Sequence, residues 1–398
     1  MKKYKGFILI KLILLITILS VSFISCKQDP STLYTYKSPE DVGDGLDIGS
    51  LDEVNIDQAL IEKAVNNISQ GKFGEVHSML IFKNGKLVLD EYFEGYKYKW
   101  DGANYNGDWI IWTSSTLHVL QSVTKSITST CIGIAIDKGF IKSVNQSIFD
   151  YLPEYQDLNI DGKDKITIEH LLTMTSGLEW DEWGAPNNSV ENDAIGLWFY
   201  DKGPIPYVLE RPLINEPGTS FTYNGGGMDI LGEIIKNATK INIDKFSAKH
   251  LFEPLGIDSF NWYNRFENGV IDAASGLKIT PRDMIKIGVT FLNKGAWNGK
   301  QIISEQWVEK SAIPFSGNQG IKPPGEDSGR VGYSYSWWTK QYSGSSKTIN
   351  IFWAGGWGGQ RIMVFPELNL VVVFTGGNWT SKVETFKILE KYIIPAID

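Results

Sequence analysis

Two stretches patterned as β-hairpins stand near opposite ends of the chain, and helical text fills most of what lies between them. "VHSMLIFKNGKLVLDEYFEGY" (76–96) holds two alternating apolar runs around Asn84-Gly85, a pair favoured in tight hairpin turns. "QRIMVFPELNLVVVFTGG" (360–377) repeats the pattern, with Pro366–Asn369 near its turn. Helical periodicity runs through 122–141, stopping at Gly139, and through 167–178, 228–240, 280–295 and 382–397. The fourth of these has Thr280 as its cap, Pro281 at the first helical position and Gly295 as its stop. Strands at the ends and helices in the middle predict an α+β fold. The ends form one antiparallel sheet flanked by helices, and the middle forms a helical lobe over about 115–260. A ligand is expected in the groove between sheet and lobe.

The chain has 398 residues, room for one large domain or two modest ones. Its 14 tryptophans, 17 tyrosines and 19 phenylalanines predict an aromatic-rich core and an aromatic-lined cleft. A net charge of −8 offers no basic patch to neutralise phosphates, so a nucleic-acid partner is not expected.

The N-terminus reads as a targeting segment. A basic "MKKYKG" precedes the apolar "LILLITILSVSFI" (12–24), too short for a membrane span of roughly 20 residues. "FISC" then places Cys26 after a small residue, which resembles a bacterial lipobox. The expectation is an exported lipoprotein, periplasmic or at the cell surface, with signal peptide 1–26 and Cys26 lipidated. Residues 27–74 would be a tether and lead-in, residues 75–398 the folded domain, and the lipid the only membrane link. An ordinary signal peptide or an uncleaved anchor fits the same text. Cys131 then has no cysteine partner and reads as a buried structural thiol.

Histidines are few: His77, His118, His170 and His250. His170 reads as a capping or packing residue. Neither a Gly-x-Ser-x-Gly elbow nor a His-Glu-x-x-His or cysteine cluster occurs, so no metal or cofactor is expected.

Ser-x-x-Lys occurs three times. Ser69/Lys72 sits where Gly71 and Gly74 break a helix, and Ser275/Lys278 sits in a glycine-containing loop. Only Ser122/Lys125, in "LQSVTKSITS", opens a long apolar helix. There serine and lysine share one face, and the helix N-terminus favours developing negative charge. An apolar setting would keep the amine neutral enough to take the serine proton. A solvated lysine on a capped helix explains the same pair.

Two further stretches carry possible chemistry. In "EPGTSFTYNGGGMDILGEII" (216–235), Tyr223 precedes three glycines and a helix, where a phenol can relay a proton. In "FWAGGWGGQRIMVFP" (352–366), four glycines precede a strand, and such a strand can lie along a substrate and expose N–H donors. Each alone also fits a tight turn or a bulged strand.

Together, in this order, the three stretches resemble the serine β-lactamase and penicillin-recognising hydrolase superfamily. The likeness lies on the side of class C β-lactamases, D-aminopeptidases and esterases. The wording is closest to the 6-aminohexanoate-dimer-hydrolase-like branch, and it covers roughly 75–398. The resemblance implies Ser122 as acylated nucleophile, Lys125 as its base and Tyr223 as proton shuttle. It implies an oxyanion hole from the Ser122 N–H and one N–H of the strand around Gly355, Gly356 and Trp357.

Two positions depart from the family pattern. The asparagine of Tyr-x-Asn falls at Gly225, leaving Asn224 or Gly225 to face the substrate. Ala354-Gly355-Gly356 stands where the family has Lys/His-x-Gly, and Arg361 is the nearest candidate to restore an anion site. Losing both weakens a β-lactamase or D-peptidase reading. The expectation is a serine hydrolase acting on an ester or small amide; the alternatives are a true β-lactamase or D-peptidase, a non-catalytic binding domain using the same cleft, or a structural lipoprotein. The loops 177–193 and 111–118 are expected to line the cleft.

Overall fold

The computed structural model describes residues 33–262, 264–343 and 348–397. From Tyr36 onward they form one unit. Helix α1 (Gln58–Ser69) precedes strands β1 (Val76–Lys83) and β2 (Lys86–Tyr92). Helices α2 (Val123–Asp137), α3 (Gly226–Thr239) and α4 (Pro281–Leu292) follow among shorter helical turns. Then come β3 (Gly332–Ser334), β4 (Trp337–Ser343), β5 (Thr348–Gly356), β6 (Gln360–Phe365) and β7 (Leu370–Gly376).

These strands make one antiparallel sheet in the order β2-β1-β7-β6-β5-β4-β3. The two terminal hairpins therefore lie side by side, joined between the second and third strands, where Leu80 faces Val373 and Phe82 faces Val371. The α+β architecture is the one the element order implied. Asn84 and Gly85 both take positive φ, as a tight hairpin turn of the right twist requires.

Both faces of the sheet are covered, which is why β6 and β7 are buried at every residue and do not alternate with polar positions. On one face α4 crosses β1, β6 and β7. A Cβ on its Gly288 would come within 2.5 Å of Val371 and 2.9 Å of Ile362, so the glycine is what lets the helix lie so close. On the other face Phe386 meets Trp353 edge to face, ring centres 5.0 Å apart.

Helix α2 is buried from Val123 to Ala135 despite its serines and threonines. Their hydroxyls are satisfied: Ser126 donates to Ser336 O, Ser129 to Tyr335 O and Thr128 to Ala273 O. The ties fix the helix to the turn between β3 and β4 and to the segment at Ala273. Cys131 is fully buried within it, and burial pushes its thiol up, as a structural thiol requires.

Three expectations need correction. Of residues 27–74, read as tether and lead-in, those from Tyr36 onward pack into the folded unit. Asp44 holds both Nε and Nη2 of the buried Arg282, and the Tyr36 hydroxyl donates to Val88 O. The helix expected over 167–178 is α-helical only at Ile168–Leu172, because Met174 takes positive φ. The closing helix is α-helical at Thr385–Ile388 and then widens into a π turn at Leu389–Ile393. Cys26 and the expected signal peptide lie outside the described residues.

Candidate active site

The segment before α2 turns sharply. Leu120 N donates to Leu277 O, and Gln121, a non-glycine residue, takes φ +48. Ser122 follows as the N-cap of α2, but its side chain caps no helical N–H. The N–H groups of Val123, Thr124 and Lys125 instead close short turns onto Leu120, Gln121 and Ser122 carbonyls. The Ser122 hydroxyl is thus left to other partners.

Its partner is Lys125. Nζ donates to Ser122 Oγ at 3.0 Å and to Ala274 O at 3.3 Å, with the side chain only 3% exposed. The surroundings are not apolar, contrary to expectation. Glu182 Oε1 lies 3.9 Å from Nζ, and the Tyr223 ring centre lies 5.0 Å away. The other Ser-x-x-Lys pairs are spent elsewhere. Ser69 donates to Val65 O, Lys72 to Asn67, and Ser275 to Asp272.

Tyr223 stacks between Trp183 and Trp338, with ring centres 5.1 and 5.9 Å away. Burial drives its phenol above its ordinary value and the Glu182 charge adds to that, while hydrogen bonding with Ser122 pulls it back. The phenol therefore stays protonated and can pass a proton only by receiving another.

The end of β5 runs beside the serine. A Cβ on Gly356 would meet Leu120 O at 2.3 Å and Ser122 N at 3.2 Å, so only glycine fits. Gly355, Gly356 and Trp357 all line the cleft. A carbonyl placed over Ser122 Oγ would find the serine N–H and the strand end together.

A cleft of about 1500 Å³ opens over these groups, walled by aromatics including Tyr98, Trp100, Trp183, Trp198 and Trp357. Loop 177–193 lines it as expected; segment 111–118 does not. His118 turns inward, its Nε2 2.7 Å from His77 Nδ1, with both rings against Trp112. Among the described residues no group of three or more His, Cys, Asp or Glu side chains is placed to hold a metal ion.

The family model described as Beta-lactamase matches residues 71–383. The chain belongs to the Beta-lactamase family. It is a family of serine hydrolases, and the relatives say more about its range. A 6-aminohexanoate-dimer hydrolase from Paenarthrobacter ureafaciens is 26% identical over 270 residues, covering 64% of this chain and 65% of that enzyme. The chain thus spans just under two thirds of that relative's length. A Bacillus anthracis protein provisionally described as a 6-aminohexanoate-dimer hydrolase superposes with TM-score 0.66 at 21% identity, over 93% of this chain and 89% of the other. A family VIII carboxylesterase superposes with TM-score 0.62 at 18% identity, over 84% and 96%. At such identities the two structures carry the fold alone.

Set against the Beta-lactamase pattern, Asn224, expected at the substrate, and Arg361, a candidate anion site with packing as the other reading, both lie outside the cleft lining. Asn224 does not face the cleft: its Oδ1 accepts the Gly227 N–H and caps α3. Arg361 is fully buried on β6, its Nη2 2.6 Å from Glu326 and its Nη1 donating to Gly356 O, so it offers no anion site. Gly225 does line the cleft, but its N–H is already given to Glu182 at 2.7 Å. Glu182 was missed because nothing in the sequence of its loop marks one acidic residue over its neighbours. His170 caps its own short helix with Thr167, as read.

Proposed function

We propose that this chain is a serine hydrolase that cleaves an ester or small amide through an acyl-enzyme on Ser122. The observation that carries the reading is the buried Lys125 amine 3.0 Å from Ser122 Oγ at the floor of an open aromatic cleft. Lys125, as the free amine, takes the hydroxyl proton while Oγ bonds to the substrate carbonyl carbon. The carbonyl oxygen gains the electron pair beside the Ser122 and β5-end N–H groups. Tyr223 passes the proton to the leaving group. Water then releases the acid by the same path in reverse.

The test is covalent. A fluorophosphonate probe should label Ser122 in folded protein and leave heat-denatured protein untouched, with the site mapped by mass spectrometry. Ser122→Ala should abolish both labelling and ester turnover while the fold persists. Turnover at wild-type rate in that variant would sink the mechanism.

We also propose, from the lipobox-like "FISC", that the chain is exported and anchored through lipid on Cys26. Incorporation of radiolabelled palmitate that is lost in Cys26→Ala supports this; equal incorporation in both overturns it.

A further inference from the structure

We propose that Glu182 is a positioning residue for Lys125, balancing the ammonium that Lys125 becomes when it takes the Ser122 proton. The inference rests on the acyl-enzyme reading above.

Glu182 is held from two sides. Its Oε2 accepts the Gly225 N–H at 2.7 Å and the Trp180 Nε1–H at 3.0 Å. These bonds leave Oε1 directed at Lys125 Nζ, 3.9 Å away, with the side chain 14% exposed. The loop around it is fixed as well: Asp181 N donates to Asp193, and Asp181 Oδ1 accepts the Gly184 N–H. Trp180, Glu182 and Trp183 thus act from one short segment. The first anchors the carboxylate, the second faces Lys125, and the third stacks on Tyr223.

The carboxylate also explains a departure in the sequence. A Cβ on Gly225 would sit 3.0 Å from Glu182 Oε2. The side chain that Tyr-x-Asn would carry at this position is missing, and a carboxylate from another loop lies where it would begin. That exchange puts negative charge beside Lys125 where an asparagine would put a neutral amide.

The chemistry follows from the charge. In acylation the Ser122 O–H bond breaks, the proton joins Nζ, and Oγ bonds to the carbonyl carbon. An amine becomes an ammonium as the carbonyl oxygen becomes an oxyanion. A fixed carboxylate within 4 Å of Nζ stabilises the ammonium in a setting where water cannot. The other ionisable groups facing this pair are Tyr223, Tyr333 and Asp229. Burial pushes all three toward their neutral forms, and Asp272 also lines the cleft; among the described residues the carboxylate within 4 Å of Nζ is that of Glu182.

The experiment is the pH profile of Glu182→Gln with a short-chain p-nitrophenyl ester. Glutamine can keep an acceptor for Gly225 and Trp180, while it removes the charge and turns an amide donor toward Lys125 in place of Oε1. On the plateau kcat should fall on the order of 10-fold to 10²-fold with KM little changed. The acid limb of kcat/KM should move to lower pH, because the ammonium loses its counter-charge. Glu182→Ala should lose more, and circular dichroism separates that loss from misfolding. A Glu182→Gln variant whose acid limb stays in place overturns the proposal, whatever its rate, and leaves Glu182 a mere tie for two N–H groups. Wild-type protein that leaves Ser122 unlabelled by the fluorophosphonate would instead fail the acyl-enzyme reading itself.

Discussion

Gly356 and Ser122 lie so close that a Cβ on the glycine would stand 3.2 Å from the serine N and 2.3 Å from the Leu120 carbonyl oxygen. The second contact is with backbone and cannot be relieved by a rotamer change. Gly356→Ala should therefore push the end of β5 away from the serine and open the gap where a substrate oxygen would be held. Loss of one oxyanion donor costs about 10² to 10³ in kcat. Ester kinetics on folded Gly356→Ala should show a loss of that order, and activity within tenfold of wild type would place the oxyanion elsewhere.

Lys125 and Tyr223 approach the Ser122 hydroxyl from different elements, α2 and the loop before α3. Neither substitution disturbs the sheet. Lys125→Ala and Tyr223→Phe should each lower kcat by about 10² to 10⁴, the range for a positioned proton-transfer group. The burst of p-nitrophenol at high enzyme concentration separates their effects on acylation from those on release. Losses under tenfold in both variants would remove them from the mechanism.

The Glu75–His77–His118 chain makes acid stability a second observable. His77 Nε2 lies 2.8 Å from Glu75 and its Nδ1 2.7 Å from His118 Nε2, while His118 Nδ1 faces Val119 O. Burial lowers both imidazoles; Glu75 partly restores His77, and His77 and Lys278 lower His118 further. An unfolded histidine titrates near about 6.5. Below that the unfolded chain binds protons that the folded chain refuses, so stability falls as pH drops from about 6.5 toward the folded values. The melting temperature should decline between about pH 7 and pH 5, and less steeply in His118→Gln. Parallel curves for the two proteins would rule the pair out as the cause.

What the sequence disclosed and what it hid divide along physical lines. The terminal hairpins and α4 were readable because period, turn residues and caps are local, as Asn84-Gly85 and Thr280-Pro281 show. Ser122 and Lys125 share one helix turn, so their meeting was also a local matter. Glu182 reaches Lys125 only because Gly225 and Trp180 hold it there, a relation among three separate stretches. Asn224 misled for a similar reason. A side chain next to a helix start caps that helix when nothing stronger claims it, and Gly227 supplied the donor. Arg361 left two readings open, an anion site or packing, because nearness in sequence to the glycine strand said nothing of what its side chain meets, and the structure shows it buried against Glu326.

That buried arginine carries the last prediction. Resemblance to β-lactamases leads one to look for a cation beside the serine to hold a substrate carboxylate and an asparagine amide to meet its acylamide. Ala354 is fully buried on β5, Arg361 is paired with Glu326, and a carboxylate stands next to Gly225. A cephalosporin would thus meet Glu182 in place of a neutral amide and would find Arg361 already neutralised. Turnover of a chromogenic cephalosporin should fall at least about 10³-fold below that of a short-chain ester, two or three lost polar contacts at roughly 1.4 kcal/mol per tenfold being sufficient. Glu326→Gln should not raise it, because the freed guanidinium stays buried and tied to Gly356 O, and the main effect there should be lower urea stability from a buried charge left unpaired. A cephalosporin rate matching the ester rate would show that the cleft recruits another cation, with Lys322 and Lys382 at its rim the first to replace.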